Sequence, residues 1–298
     1  MHQVNWPSLI AIYLFAAGVG VAAFYTGVLA DLFSSGKYRR LAKYGSYIGV
    51  PLIITGTLML LLDLGRPFRF WLPLLNFRPS STMSLGVWLL TAFTLLGGLN
   101  ALTWLAEEER YQNSSLLAAF RGKAGLRRLT GLLGLPVAVL TAGYTGVLLA
   151  STSSALWSST PYMGLLFLVS ATSTGMAALM LVLAWRKEDF SLIQKLAKAD
   201  ALVIVLEIAV FILLLLTLRS AAPEAAAVIL SGSYALLFWF GIIGCGLVIP
   251  LIVELYNMFS PKLHSKNDTA VPVVASALIL IGGFLLRYVL LYAGQAPL

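Results

Sequence analysis

Residues 8–30 decide the fold: Ser-Leu-Ile-Ala-Ile-Tyr-Leu-Phe-Ala-Ala-Gly-Val-Gly-Val-Ala-Ala-Phe-Tyr-Thr-Gly-Val-Leu-Ala, without a single charged side chain. A hydrocarbon layer about 30 Å thick is crossed by roughly 20 helical residues, so this run is long enough to span a bilayer. It exceeds the apolar core of an ordinary signal peptide, and no Lys or Arg precedes it within Met1–Pro7. We therefore read it as a true transmembrane helix. Seven further runs of the same kind lie near residues 45–64, 83–105, 130–150, 162–185, 199–218, 232–255 and 271–293. The composition agrees: 59% of the residues are apolar and 11% charged, with a mean hydropathy of +0.90, whereas soluble domains carry about 25% charged residues. The expected fold is an all-α integral membrane protein with eight transmembrane helices, forming one polytopic domain over residues 1–298. Its longest connection, residues 106–129, reads as a charged amphipathic linker. Glycines inside the runs (Gly18, Gly20, Gly27; Gly143, Gly146; Gly241, Gly244, Gly246) suit close helix contact in lipid.

Orientation follows from the basic residues, which are retained on the cytoplasmic side during insertion. Lys37, Arg39, Arg40 and Lys43 follow the first run, and Arg110, Arg121, Lys123, Arg127 and Arg128 the third. Arg186, Lys187, Lys195 and Lys198 follow the fifth, and Lys262 and Lys266 the seventh. Only Arg66, Arg69, Arg78, Arg219 and Arg287 fall elsewhere. Both termini are expected on the outer, periplasmic side. The net charge of +8 is then a topology signal, and a nucleic-acid partner is not implied.

One cysteine, Cys245, and two histidines, His2 and His264, are present. They supply no thiolate set for an iron–sulfur cluster and no histidine pair for haem, so we expect no metal and no haem in this chain.

Polar residues inside membrane spans are costly and point to function. Asp63 closes the second run and leads into Leu64-Gly65-Arg66-Pro67-Phe68-Arg69-Phe70-Trp71. Tyr13, Tyr144 and Arg287 fall in the outer parts of the first, fourth and eighth runs. Phenols, a carboxylate and guanidinium groups in apolar surroundings suit a ligand with an apolar body and carbonyl or hydroxyl ends, such as a quinone. Each residue also has a plainer reading. Tyr13 and Tyr144 fit an interfacial aromatic belt, Asp63 with Arg66 fits a structural ion pair, and Arg287 fits a snorkelling helix end. Their shared depth favours the functional reading. Glu207 near the middle of the sixth run, Glu254 in the seventh and Asp31 at the inner end of the first are candidates for a proton route. Glu254 and Asp31 equally suit solvated helix ends.

The run Pro51 to Trp71, with its Asp-Leu-Gly-Arg-Pro end, resembles the NrfD/PsrC family of polysulfide-reductase-type membrane subunits. Pro79 to Gly86, Gly143-Tyr144-Thr145-Gly146, Phe167-Leu168-Val169-Ser170 with Gly175, and Gly282 through Gln295 agree in order and spacing. The resemblance implies a haem-free, multi-pass subunit of a bacterial or archaeal cytoplasmic (inner) membrane, built as two packed four-helix bundles. It implies exchange of electrons between a membrane quinone, menaquinone or ubiquinone, and a four-cluster, ferredoxin-like iron–sulfur subunit at the outer face. That partner in turn serves a molybdopterin or cytochrome catalytic subunit. Tyr144 then belongs to the quinone site, with Tyr13, Asp63, Arg66 and Arg287 around it, and Asp63 and Tyr144 are the candidate catalytic residues. Arg66, Arg69, Arg78 and Trp157 form the expected docking surface. Some relatives present His and Asn where this chain has Tyr13 and Ile10, which moves proton transfer toward Asp63, because a neutral phenol seldom gives up its proton. Two other readings remain: a secondary transporter, for which no internal repeat is visible, and a passive anchor without a quinone site.

Overall fold

The structure is a computed structural model that describes residues 6–63, 72–188, 190–259 and 270–296. Eight of its helices are long and apolar enough to cross a membrane. They are α1 (Ser8–Phe33), α2 (Arg39–Asp63), α3 (Thr82–Leu105), α4 (Ala124–Ala150), α5 (Met163–Trp185) and α6 (Phe190–Ala221), then α7, a π-helical stretch Leu237–Val248 continued by an α-helix Ile249–Phe259, and finally α8 (Ala270–Ala293). Shorter helices, Leu72–Leu75, Ala155–Ser158 and Pro223–Leu230, sit in the connections at the end opposite the basic loops. Among the described residues there is no strand. Lipid offers no partner for backbone N–H and C=O groups, so each apolar run must satisfy its own by coiling into a helix.

α1 lies at the centre, most of it buried, with α2, α4, α5 and α8 packed around it. α3 packs on α2 and α4, while α5 joins α1, α4, α6 and α8, and α7 packs on α8. Small residues make these approaches possible. A methyl group added at Gly27 of α1 would stand 2.5 Å from the Leu41 carbonyl oxygen of α2, and one at Gly246 of α7 would stand 2.7 Å from the Gly282 Cα of α8. The lipid-facing surface is built from large side chains, including Leu58 and Leu62 of α2 and Leu202, Val205, Leu206 and Leu216 of α6.

Several spans differ from expectation: α2 begins at Arg39 rather than near 45 and α4 at Ala124 rather than near 130. α6 begins at Phe190 rather than near 199, because the preceding turns are amphipathic: Lys195 and Lys198 are exposed while Ile193 and Leu196 are buried. α7 is π-helical through its glycine-rich part, and the Ile249 N–H donates to the Gly244 carbonyl five residues back. Such wide turns are rare and concentrate at functional positions.

At the basic end, a buried amide ties three helices together. The Asn100 Oδ1 of α3 accepts from the Ser46 hydroxyl of α2 at 2.9 Å and from the Trp104 indole at 3.1 Å. Its Nδ2 donates to the Arg127 carbonyl at 2.8 Å and to Thr130 Oγ1 of α4 at 3.1 Å. Asn100→Leu should cost about 1–3 kcal/mol through the partners it strands in the interior, read as a lower thermal midpoint in detergent. An unchanged midpoint would show that the network adds nothing to stability. Around it, Glu107 bridges Arg39 at 2.7 Å and Arg127 at 2.6 Å. Lys43 hydrogen-bonds Glu108 and holds that carboxyl below the usual carboxylate range.

Candidate functional site

The candidate residues toward the end opposite the basic loops are positioned by four helices. Tyr13, five residues into α1, is buried against Gly56 of α2, where a methyl group would stand 3.3 Å from the phenol ring. Tyr144, six residues from the end of α4, lays its hydroxyl on Gly86 of α3, where no side chain would fit. The two phenols are close enough to interact electrostatically. α1 and α2 thus hold one phenol, and α3 and α4 the other, near the end opposite the basic loops. Asp63 is the last residue of α2, about two helical turns beyond Gly56; its side chain, like Arg66 and Arg69, lies outside the described residues. Arg78 is exposed in the connection before α3, and its backbone N–H donates to Ser84 Oγ at 3.1 Å.

Arg287 goes elsewhere. Its guanidinium is 0% exposed and donates to the Gly283 carbonyl at 2.6 Å and to Ser170 Oγ at 3.4 Å. The rings of Phe15 and Phe167 flank it at 5.7 and 5.5 Å, and Gly18 leaves the space it occupies. The reason is geometric. Side chains on a helix lean toward its N-terminus, and for α8 that is the basic end, so a Cα at the outer level delivers its charge toward the middle of the membrane. The electrostatic partners of Arg287 are Glu207 of α6 and Tyr25 of α1. Tyr25 in turn shares a short hydrogen bond with Thr172.

Glu207 is 3% exposed, with the Ser170 hydroxyl and the Arg287 charge in its surroundings. Toward the basic end the chain of ionisable groups continues through Asp200, to which the sequence alone assigned no role. Asp200 is 0% exposed and interacts with Glu207 on its own helix, with the Ser173 hydroxyl beside it and Glu254 of α7 across from it. A signal existed: Asp200 and Glu207 stand seven residues apart inside one apolar run, which puts them two turns apart on one helix face. Glu254, which equally suited a solvated helix end, is 5% exposed. Asp31 is not brought to these groups. It borders a different cavity at the basic end, with Arg39, Asn100, Arg127 and Arg128.

Trp157 is placed inside the protein rather than on a docking surface. It is 1% exposed, its indole N–H donates to the Leu290 carbonyl at 2.7 Å, and its ring stacks on Trp6 at 5.6 Å. The connection between α4 and α5 folds back across α8, and Gly294 opens the slot that receives the ring. Among the described residues, no three His, Cys, Asp or Glu side chains gather where a metal ion could be held.

Fold and site together define a polytopic helical membrane protein that keeps a phenol pair near one end and a line of ionisable groups through its interior. The family model described as polysulphide reductase, NrfD, matches residues 1–298, and the protein belongs to that family. The polysulfide reductase C chain of Wolinella succinogenes is 31% identical, over 98% of the present sequence and 94% of the relative. Protein NrfD of Escherichia coli K12 is 28% identical over the same shares. The selenate reductase C subunit of Mesobacillus selenatarsenatis is 25% identical over 84% of the present sequence and 66% of the relative.

Proposed function

We propose that this protein is the quinone-exchanging membrane subunit of a respiratory oxidoreductase complex in a bacterial or archaeal cytoplasmic membrane, oriented with its basic loops inward and both termini outward. The observation that carries the reading is the placement of Tyr13 and Tyr144, from two helices and each on a glycine of another, at one end of the protein where their charges interact. Two phenol hydroxyls at one level are suited to hydrogen-bond the oxygens of a quinone head group, and the surrounding apolar faces suit its tail. The bound quinone, menaquinone or ubiquinone, accepts or gives two electrons and two protons. Tyr144 and Tyr13 orient and polarise it. Asp63, where α2 ends, handles the proton, and Arg66, three residues on in the sequence, belongs to the same site. Two relatives support the setting, since by name they are parts of a polysulfide reductase and a selenate reductase.

The partner is an iron–sulfur subunit of the four-cluster ferredoxin type, itself serving a molybdopterin or cytochrome subunit. It docks at the outer end over Arg66, Arg69 and Arg78, where exposed Leu75, Phe77 and Met83 add apolar area next to Arg78. Glu207 and Glu254 provide a proton route from the basic end.

Asp63→Asn should lower quinone-linked turnover by about 10²–10⁴-fold, the contribution of a positioned acid–base group, and Tyr144→Phe should lower it by about tenfold, one lost hydrogen bond in the transition state. Co-purification of the partner subunits should persist in both. Wild-type rates with quinol in both variants would end the assignment.

A further inference from the structure

Both carboxylate oxygens of Asp200 and both of Glu254 stand in the interior with no hydrogen-bond partner. Asp200 stands on α6 and Glu254 on the α-helical part of α7, two segments that pack against each other, and their charges interact. The Ser173 hydroxyl, also fully buried and without a formed hydrogen bond, stands beside Asp200. The groups that face the pair are Glu207 from α6 itself and Ser173 from α5. Among the described residues, the buried Arg287 of α8 has Glu207 as its charged partner instead. Two buried carboxylates whose charges interact repel each other and have lost their hydration, and among the described residues no cation is found to offset them. The arrangement is stable when the pair holds a proton between its two carboxyl groups, as adjacent carboxyls do elsewhere.

We propose that Asp200 and Glu254 form a proton-binding pair that loads from water at the basic end and passes its proton past Ser173 to Glu207. Entry at Glu254 follows from position: it lies five residues before the basic end of α7 and is the more exposed of the two. On α6, the exposed Lys195 and Lys198 mark the water boundary just ahead of Asp200. Transfer inward follows from the antiparallel run of α5 and α6, which sets Ser173 beside Asp200 and Ser170 beside Glu207. Asp200 and Glu207 are about 10 Å apart along the helix, too far for a direct hop, and the α5 hydroxyls fill that interval. Glu207 then borders a cavity of about 10 Å³ enclosed by Ser170, Thr174, Gly246, Gly282 and Gly283, roughly the room one water needs. The wide π-helical turn of α7 and the two facing glycines open that cavity. In each hop one O–H bond breaks as another forms, and the negative charge moves back toward the basic end.

The inference rests on the quinone reading only for the use made of the proton. In proteoliposomes carrying the full complex, D200N and E254Q should each cut the protons exchanged with basic-end water per electron transferred at least fivefold. An unchanged ratio overturns the pair. Infrared spectra of the purified protein, without quinone, should show a protonated-carboxyl carbonyl band at neutral pH that is weakened in the D200N/E254Q double variant; equal bands also overturn it. Absence of any quinol-linked electron transfer in the wild type would instead sink the quinone reading and leave the infrared result standing.

Discussion

Arg287→Met should destabilise the folded protein by about 3–5 kcal/mol, the scale of leaving a buried charge without the opposite charge that offsets it. The guanidinium is completely enclosed and faces Glu207, and it also bonds the Gly283 carbonyl. Methionine keeps most of the bulk and lies well between Phe15 and Phe167, so a cavity contributes little to the loss. What remains is a carboxylate in the interior with its cation gone. Arg287→Met combined with Glu207→Gln should therefore recover more than half of the loss, because both charges leave together. Equilibrium unfolding in detergent micelles measures both. A single-variant loss below about 1 kcal/mol, the scale of a solvent-exposed pair, or no recovery in the double variant, would show that the two groups do not act as a unit.

The second large effect is steric. Gly27→Leu should place its Cβ 2.5 Å from the Leu41 carbonyl oxygen, 2.9 Å from the Leu41 carbonyl carbon and 3.0 Å from the Ala42 Cα. All three are backbone atoms of α2, so no side chain can swing aside and the helices themselves must part. The cost should reach or pass the upper end of the roughly 1–3 kcal/mol typical of overpacking. It falls on the packing of α1, to which four other spans are attached. Gly98→Leu is the control. Nothing lies within 4 Å of that position, so removing a helical glycine there should be neutral or stabilising by up to about 1 kcal/mol. Yield of folded protein by size-exclusion profile separates the two, and equal behaviour would show that α1 and α2 are not held at this distance.

The phenol pair was legible before the structure because depth can be counted along a helix: Tyr13 and Tyr144 each lie five or six residues from an outer helix end. The same count misplaced Arg287, since a long side chain that leans toward the helix N-terminus carries its charge well away from the level of its Cα. Asp200 escaped notice for a different reason. It stands two residues beyond Lys198, where a carboxylate resembles an ordinary helix-end charge, and only the extension of α6 back to Phe190 places it well inside.

Eight spans and their helical form follow from the chain alone, because a bilayer imposes one length and one secondary structure on every apolar run. Which face of each helix turns inward does not follow. A soluble helix announces its buried face by polarity, but α6 is apolar on both sides: Leu202, Val205 and Leu206 meet lipid while Ile204, Val210 and Phe211 meet protein. The meeting of Asp200 with Glu254, the enclosure of Arg287, the slot for Trp157 and the π-helical course of α7 were therefore decided by helix-to-helix packing, where glycines set how near two backbones come and that nearness sets which side chains share an interior.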